Sequence, residues 1–224
     1  MANDIADSRR AAVDAFLAKN RQAMTAEGGR GRLIIAIDAT ASRQPTWDLA
    51  CKLQGEMFQE VATVGGLDAQ LIYYRGGECK ASKWVSDTRT LAGLMEKTEC
   101  VSGHTQIRKV LDHARKENAR RKVGTIVFIG DCVEEQPAEL YAVARELSLP
   151  IFIFQEGDDP TATKVFHELA RLTGGAHCHF APGSAQQLRE LLRAVARFAS
   201  GGLKALAQSN NPGAVKLLQQ LKQK

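Results

Sequence analysis

Five oxygen-bearing side chains stand where a folded chain could gather them. They are Asp38, Thr40 and Ser42 in the run Asp38-Ala39-Thr40-Ala41-Ser42, Thr105 in Ser102-Gly103-His104-Thr105, and Asp131 in Gly130-Asp131-Cys132-Val133. Two carboxylates and three hydroxyls form a hard, all-oxygen donor set. Such a set suits Mg²⁺ or Mn²⁺, which favour octahedral oxygen coordination and retain water, and suits zinc poorly. In a turn straight after a strand, positions 38, 40 and 42 can aim at one point while Ala39 and Ala41 stay clear. With only two charged donors, a bound cation keeps positive character and an open position that an acidic group of a partner can fill. Each residue also has a plainer use: Asp38 ends a strand, Ser42 caps the next helix and Asp131 caps another. Placement favours the metal reading, because the three segments follow a first strand, precede a helix and end a central strand.

The elements that must position these residues are legible from residue 33 to about 199, where short β-branched runs alternate with helical patterns. That alternation predicts a parallel sheet covered on both faces. Strands are expected at Leu33–Ile37, Ala69–Tyr74, Cys79–Val85, Thr125–Ile129, Ile151–Phe154 and Ala176–Phe180. The Gly76-Gly77 connection is too short for a crossover, so the third strand must be antiparallel to the second. Thr125–Ile129, free of charge, reads as a central strand. Helical spacing appears at Leu49, Leu53, Met57 and Val61 after Pro45, with Gly65-Gly66 as the stop, and again over Thr88–Lys97 and Gln106–Ala119. Pro137 and Pro160 open two more helices, and Ser184-x-x-Gln187 reads as a capping box before Leu188. In an open sheet of this kind the ligand crevice lies beyond the carboxyl ends of the strands, where strand order reverses.

Two appendages flank this unit, giving an N-terminal helical extension over 1–30, a sheet domain over 31–201 and a C-terminal helical extension over 202–224. Val13, Phe16, Leu17 and Met24 mark the first, within Ile5–Met24. Leu203–Ala207 and Ala214–Leu221, on either side of Asn210-Asn211-Pro212, mark two short helices in the last. Neither appendage can bury a core of its own, so both are expected to dock on the sheet domain.

On these residues the chain resembles the von Willebrand factor A (vWA) domain family, whose metal-ion-dependent adhesion site has the pattern D-x-S-x-S, a distant Thr and a distant Asp. Asp38, Thr40 and Ser42 match the first element, Thr105 the second and Asp131 the third, and the resemblance covers about 33–199. It implies an α/β fold that is Rossmann-like and doubly wound, with a mostly parallel six-stranded sheet and one antiparallel edge strand. It also implies a module that binds proteins through a Mg²⁺ or Mn²⁺ ion and is not an enzyme. Thr40 replaces the commoner Ser, keeping the hydroxyl and adding a methyl that restricts its rotamers. Cys132 and Val133 follow Asp131 where many relatives have Gly.

Composition narrows the alternatives. The 224 residues are 44% hydrophobic, enough for one sizeable core, and 25% charged, near the globular average. No apolar run approaches the ~20 residues that span a bilayer, and the first residues have no apolar signal region. Five cysteines without regular spacing suit a reducing compartment, which implies a cytoplasmic location. The net charge of +5 is concentrated in Arg108 to Lys122, but no aromatics interleave there for base stacking, which disfavours nucleic acid as a partner. A phosphotransferase or phosphatase with Asp38 as nucleophile is the enzymatic alternative. It is weakened by Thr40, which cannot serve as a general acid near neutral pH. His177 and His179 share one strand face at a spacing zinc could use but read as ordinary strand residues. His104 could contact a ligand, and Glu134 and Glu135 could make the rim acidic or favour the N-terminus of the helix that follows them.

Overall fold

Strand β1 (Gly31–Asp38) is buried along its whole length, as the uninterrupted apolar run Leu33–Ile37 requires of a strand covered on both faces. The computed structural model describes residues 30–61 and 66–222. β1 pairs in parallel with β2 (Leu67–Arg75) on one side and β4 (Thr125–Gly130) on the other. β5 (Ile151–Glu156) and β6 (Ala176–Phe180) continue the sheet in parallel beyond β4. β3 (Glu78–Ala81) closes the opposite edge antiparallel to β2, giving the order β3-β2-β1-β4-β5-β6. The sheet thus has the six strands and the single antiparallel edge expected from the sequence.

Alternate side chains of each strand feed two cores. Leu33, Ile35 and Ile37 pack with α1 (Gln44–Val61), α2 (Thr88–Glu96) and α6 (Ala185–Ala207), contributing Trp47 and Met57, Leu91 and Met95, and Leu192 and Val195. Ile34 and Ala36 face α3 (Ile107–Arg120), α4 (Pro137–Glu146) and α5 (Pro160–Thr173), with Val110, Leu140 and Phe166. Each large apolar side chain fully removed from water in these layers stabilises the fold by roughly 1.5–3 kcal/mol. The chain leaves β1 toward β2 and later returns to β1's other side through β4. The carboxyl ends of β1 and β4 are therefore neighbours at the point where strand order reverses, which opens a crevice there.

Several local expectations differ from the structure. The third strand ends at Ala81, because the Ser82 hydroxyl accepts from the Leu71 amide at 3.0 Å in place of a ladder bond; the chain rejoins β2 only at a bridge between Ala69 and Val85. Ser184 makes no side-chain cap, and Gln187 Oε1 instead accepts from Ala181 N at 2.9 Å, so the capping box does not form. Leu203–Ala207 does form the short helix expected: Gly202, with φ of +64° and ψ of −158°, breaks the helical path, so the span α6 consists of two helices across a kink. The helix expected over Ile5–Met24 and its break at Gly28-Gly29 lie outside the described residues, as does Gly65.

The last helix, α7 (Pro212–Lys222), packs on the sheet end and on α6. Ala214 and Leu217 are fully buried, Asn211 Nδ2 donates to Glu190 O at 3.0 Å, and Gln220 Oε1 accepts from the His177 amide of β6 at 2.8 Å. Leu217→Ala removes a buried side chain from this junction. It is expected to lower the unfolding free energy by about 2–5 kcal/mol in urea denaturation.

Candidate metal centre

Asp38 is the last residue of β1 and is fully buried. Its Oδ1 accepts from Thr40 N at 2.8 Å, an Asx-type turn that reverses the chain toward the 3₁₀ turn Ala41–Arg43. Its Oδ2 is buried without a partner. Asp131 follows Gly130, the last residue of β4, and its Oδ1 is likewise buried and unpartnered. Parallel pairing of β1 with β4 brings the two together: a carboxylate oxygen of Asp38, one of Asp131 and the Cys132 sulfur lie within 4.8 Å of one another. Among the described residues no other group of three His, Cys, Asp or Glu side chains is so placed.

Arg43 sits against this pair with its side chain only 5% exposed. Its Nη1 lies 3.6 Å from Asp131 Oδ2 and forms an ion pair with Glu156, the last residue of β5. Glu156 is itself held by the Thr46 hydroxyl and by Gly183 N at 3.2 Å. Arg43 thereby engages Asp131 Oδ2, while Asp131 Oδ1 has no hydrogen-bond partner. Arg43 Nε and Nη2 and the Tyr74 hydroxyl are buried without partners as well. Tyr74 is the β2 residue paired with Asp38, and its pKa is raised well above the usual value, by burial first and then by the charge of Asp38. Burial likewise raises the Asp38 pKa, and the negative charge of Asp131 adds to the shift.

Thr105 reaches the same loop by a reciprocal pair of bonds: its amide donates to Glu134 Oε2 at 2.7 Å, and its hydroxyl accepts from Glu134 N at 3.0 Å. Glu135 accepts from Ile107 N and Arg108 N at 2.8 and 2.9 Å. The two glutamates thus serve the N-terminus of α3, the helix before them, and not that of the following helix. Their carboxylates meet the free amides and positive dipole end of α3, and the Thr105 amide holds the Glu134 pKa below the usual range. Gly103 lets this loop seat on the β2–β3 hairpin, since a Cβ there would lie 2.4 Å from Gly76 backbone atoms. Ser42 lies in the 3₁₀ turn, and its side chain is outside the described residues.

The structure therefore brings Asp38, Thr40 and Asp131 together and ties Thr105 to the Asp131 loop. His104 is exposed and contacts Glu134 at 3.1 Å. His177 is not placed for metal binding with His179: its Nε2 bonds Gln155 Oε1 at 2.9 Å, burial lowers its pKa to about 4, and His179 Nδ1 bonds Gly157 O. Sequence reasoning missed Arg43, Glu156, Tyr74 and Cys132 as parts of the site. Glu156 had a usable signal, because it ends the fifth strand as Asp38 ends the first. The donors fit a divalent cation, since two buried carboxylate oxygens lack partners and the two carboxylates come within 4.8 Å of each other, where their mutual repulsion would be relieved by an ion.

Two consequences are measurable. Arg43→Met leaves Glu156 buried without its counter-charge and should cost about 3–5 kcal/mol in urea unfolding, most of it recovered in the Arg43→Met/Glu156→Met double variant. For Asp38, a folded-state pKa above the unfolded value means that its contribution to ion-free stability is full at low pH and is lost as pH rises through the folded pKa. In EDTA, Asp38→Asn should therefore gain stability relative to the parent between pH 4 and 7, measured by urea unfolding across that range.

No family model matches the sequence, and no curated protein matches it. Solved structures do. The conserved hypothetical protein BatB from Bacteroides thetaiotaomicron superposes with a TM-score of 0.59 at 17% identity, over 78% of this chain and 99% of that one. An aerotolerance-related membrane protein from Bacteroides fragilis gives 0.56 at 15% identity, over 87% and 100%. The VWA domain of SpRpn10 gives 0.58 at 12% identity, over 82% and 97%. With its six-stranded sheet of five parallel strands and one antiparallel edge strand, and with these superpositions, the chain has a fold like that of the von Willebrand factor A domains.

Proposed function

We propose that this chain is a protein-interaction module whose recognition centre is a divalent ion held by Asp38, Thr40, Ser42, Thr105 and Asp131. The observation that carries this reading is the pair of buried, unpartnered oxygens, Asp38 Oδ2 and Asp131 Oδ1, at the carboxyl ends of adjacent strands. Buried acceptors without partners are rare in folded proteins and mark places where a missing partner belongs. The oxygen donors taken alone suit Mg²⁺ or Mn²⁺. Two charged and three neutral donors leave the ion able to take an acidic side chain, Glu or Asp, from a protein partner. The contacts around that side chain then supply most of the affinity. A vWA-type fold in SpRpn10 and BatB is in keeping with an interaction module in general.

The other readings have less support. A phosphotransferase needs an acid beside the Asp38 nucleophile, and the acid nearby, Asp131, is engaged by Arg43. In the basic segment 108–122 three of the four guanidiniums are matched: Arg108 with Glu139 at 2.6 Å, Arg115 with Asp112 and Glu146, and Arg120 with Glu117 at 2.8 Å. Matched charges present less net field to a phosphate backbone. All five cysteines are free, in keeping with a reducing, cytoplasmic setting, and among the described residues no helix is long and apolar enough to cross a membrane.

The test is affinity capture by the full chain from its native extract, with Mg²⁺ and Mn²⁺ or with EDTA, run beside Asp131→Ala. Proteins retained with the ions and lost both in EDTA and on the variant are the expected outcome. Calorimetry should then show ion and partner strengthening each other's binding by one common factor. The same proteins at the same affinity under all four conditions would overturn the proposal.

A further inference from the structure

The Cys132 thiol is the one member of the carboxylate cluster that the interaction reading does not use. It follows Asp131 directly, is half-buried, and its sulfur lies within 4.8 Å of a carboxylate oxygen from both Asp38 and Asp131. Two donors on one ion stand no further apart than the sum of their bond lengths, about 4.5 Å for sulfur and oxygen on zinc, so the three atoms are close to ligating distance already. A second observation points into the same space: Asp38 is fully buried and its Oδ2 has no partner. Sulfur beside two carboxylates is a different donor set from oxygen alone. Thiolate favours Zn²⁺ and Co²⁺, whereas Mg²⁺ demands oxygen ligands and keeps its water.

We infer that Cys132 is a further protein ligand of this centre, beside the two carboxylates Asp38 and Asp131, and that it makes the site prefer a thiophilic divalent ion of the Zn²⁺ and Co²⁺ class over Mg²⁺. The inference rests on the reading that the two aspartates hold a divalent ion. As the sulfur–metal bond forms, the thiol proton leaves to the buffer and no electrons change hands. Arg43 remains on Glu156 and the outer Asp131 oxygen, where it fixes the carboxylate that neighbours Cys132. The other four thiols are placed outside this group, with Cys100 on the loop before α3 and Cys51, Cys79 and Cys178 in α1, β3 and β6.

The experiment is titration of the metal-free full chain with Co²⁺, read by near-ultraviolet absorption for thiolate-to-cobalt charge transfer and by equilibrium dialysis for binding. The parent chain and Cys100→Ser are expected to develop the charge-transfer band to saturation at one equivalent. Cys132→Ser should still bind Co²⁺ but show no band, and its preference for Zn²⁺ over Mg²⁺ should fall by about ten-fold or more. Co²⁺ bound to the parent without the band, or a band that survives Cys132→Ser, overturns the role of Cys132 and leaves the divalent centre standing. Failure of Co²⁺, Zn²⁺, Mn²⁺ and Mg²⁺ alike to bind the parent chain overturns the centre itself, and this inference with it.

Discussion

Two carboxylates brought side by side in a buried crevice repel each other, and the arrangement around Asp38 and Asp131 answers that repulsion. Parallel pairing of β1 with β4, with Ile37 opposite Ile129, brings Asp38 and Asp131 to the same end of the sheet, one residue apart in register. The chain meets part of the cost with Arg43, placed by the 3₁₀ turn immediately after Thr40 and anchored from the far side by Glu156 at the end of β5. The cluster of three carboxylates and one guanidinium still carries excess negative charge when Asp38 is ionised. That residual charge, together with partnerless oxygens on both aspartates, is what sets this cluster apart from an internal ion pair.

The surrounding loops are organised to hold this geometry from three sides. Glu134 and Glu135 leave β4 and turn back onto the first amides of α3, so the loop carrying Asp131 is pinned by charge-assisted bonds to backbone that is itself fixed by Thr105 and Gly103. Val101 N bonds Ala39 O at 3.0 Å, linking the same loop to the residue after Asp38. The three segments are therefore mechanically one unit, and a shift at any of them is transmitted to both aspartates.

The fold was legible because its strands are buried on both faces and therefore spelled in unbroken β-branched runs, as in Leu33–Ile37 and Thr125–Ile129, while the helices carry a clear apolar stripe. The acidic ends of β1 and β4 were legible for a related reason: a charged residue that closes an apolar run at a strand's carboxyl end has few structural uses. Arg43 was not legible, since its role depends on Glu156, which only the sheet order brings near, and a buried arginine looks like any surface arginine in one dimension. Glu134 and Glu135 misled because the helix they serve lies earlier in the chain than the one they precede. Ser184 misled because Gln187 found a better acceptor role at Ala181 N.

The seating of α7 beside β6 bears on how copies of this sheet meet one another. A parallel sheet has two open margins, each a row of amides and carbonyls ready to recruit a foreign strand. Here one margin is β3, four residues long and bearing Glu78 and Lys80, a poor template for extension. The other is β6, where the Gln220 side chain takes the His177 amide and the helix body lies over the strand end. Assembly by strand addition is thus discouraged at both margins of the described sheet, which disfavours self-association through continuous sheets.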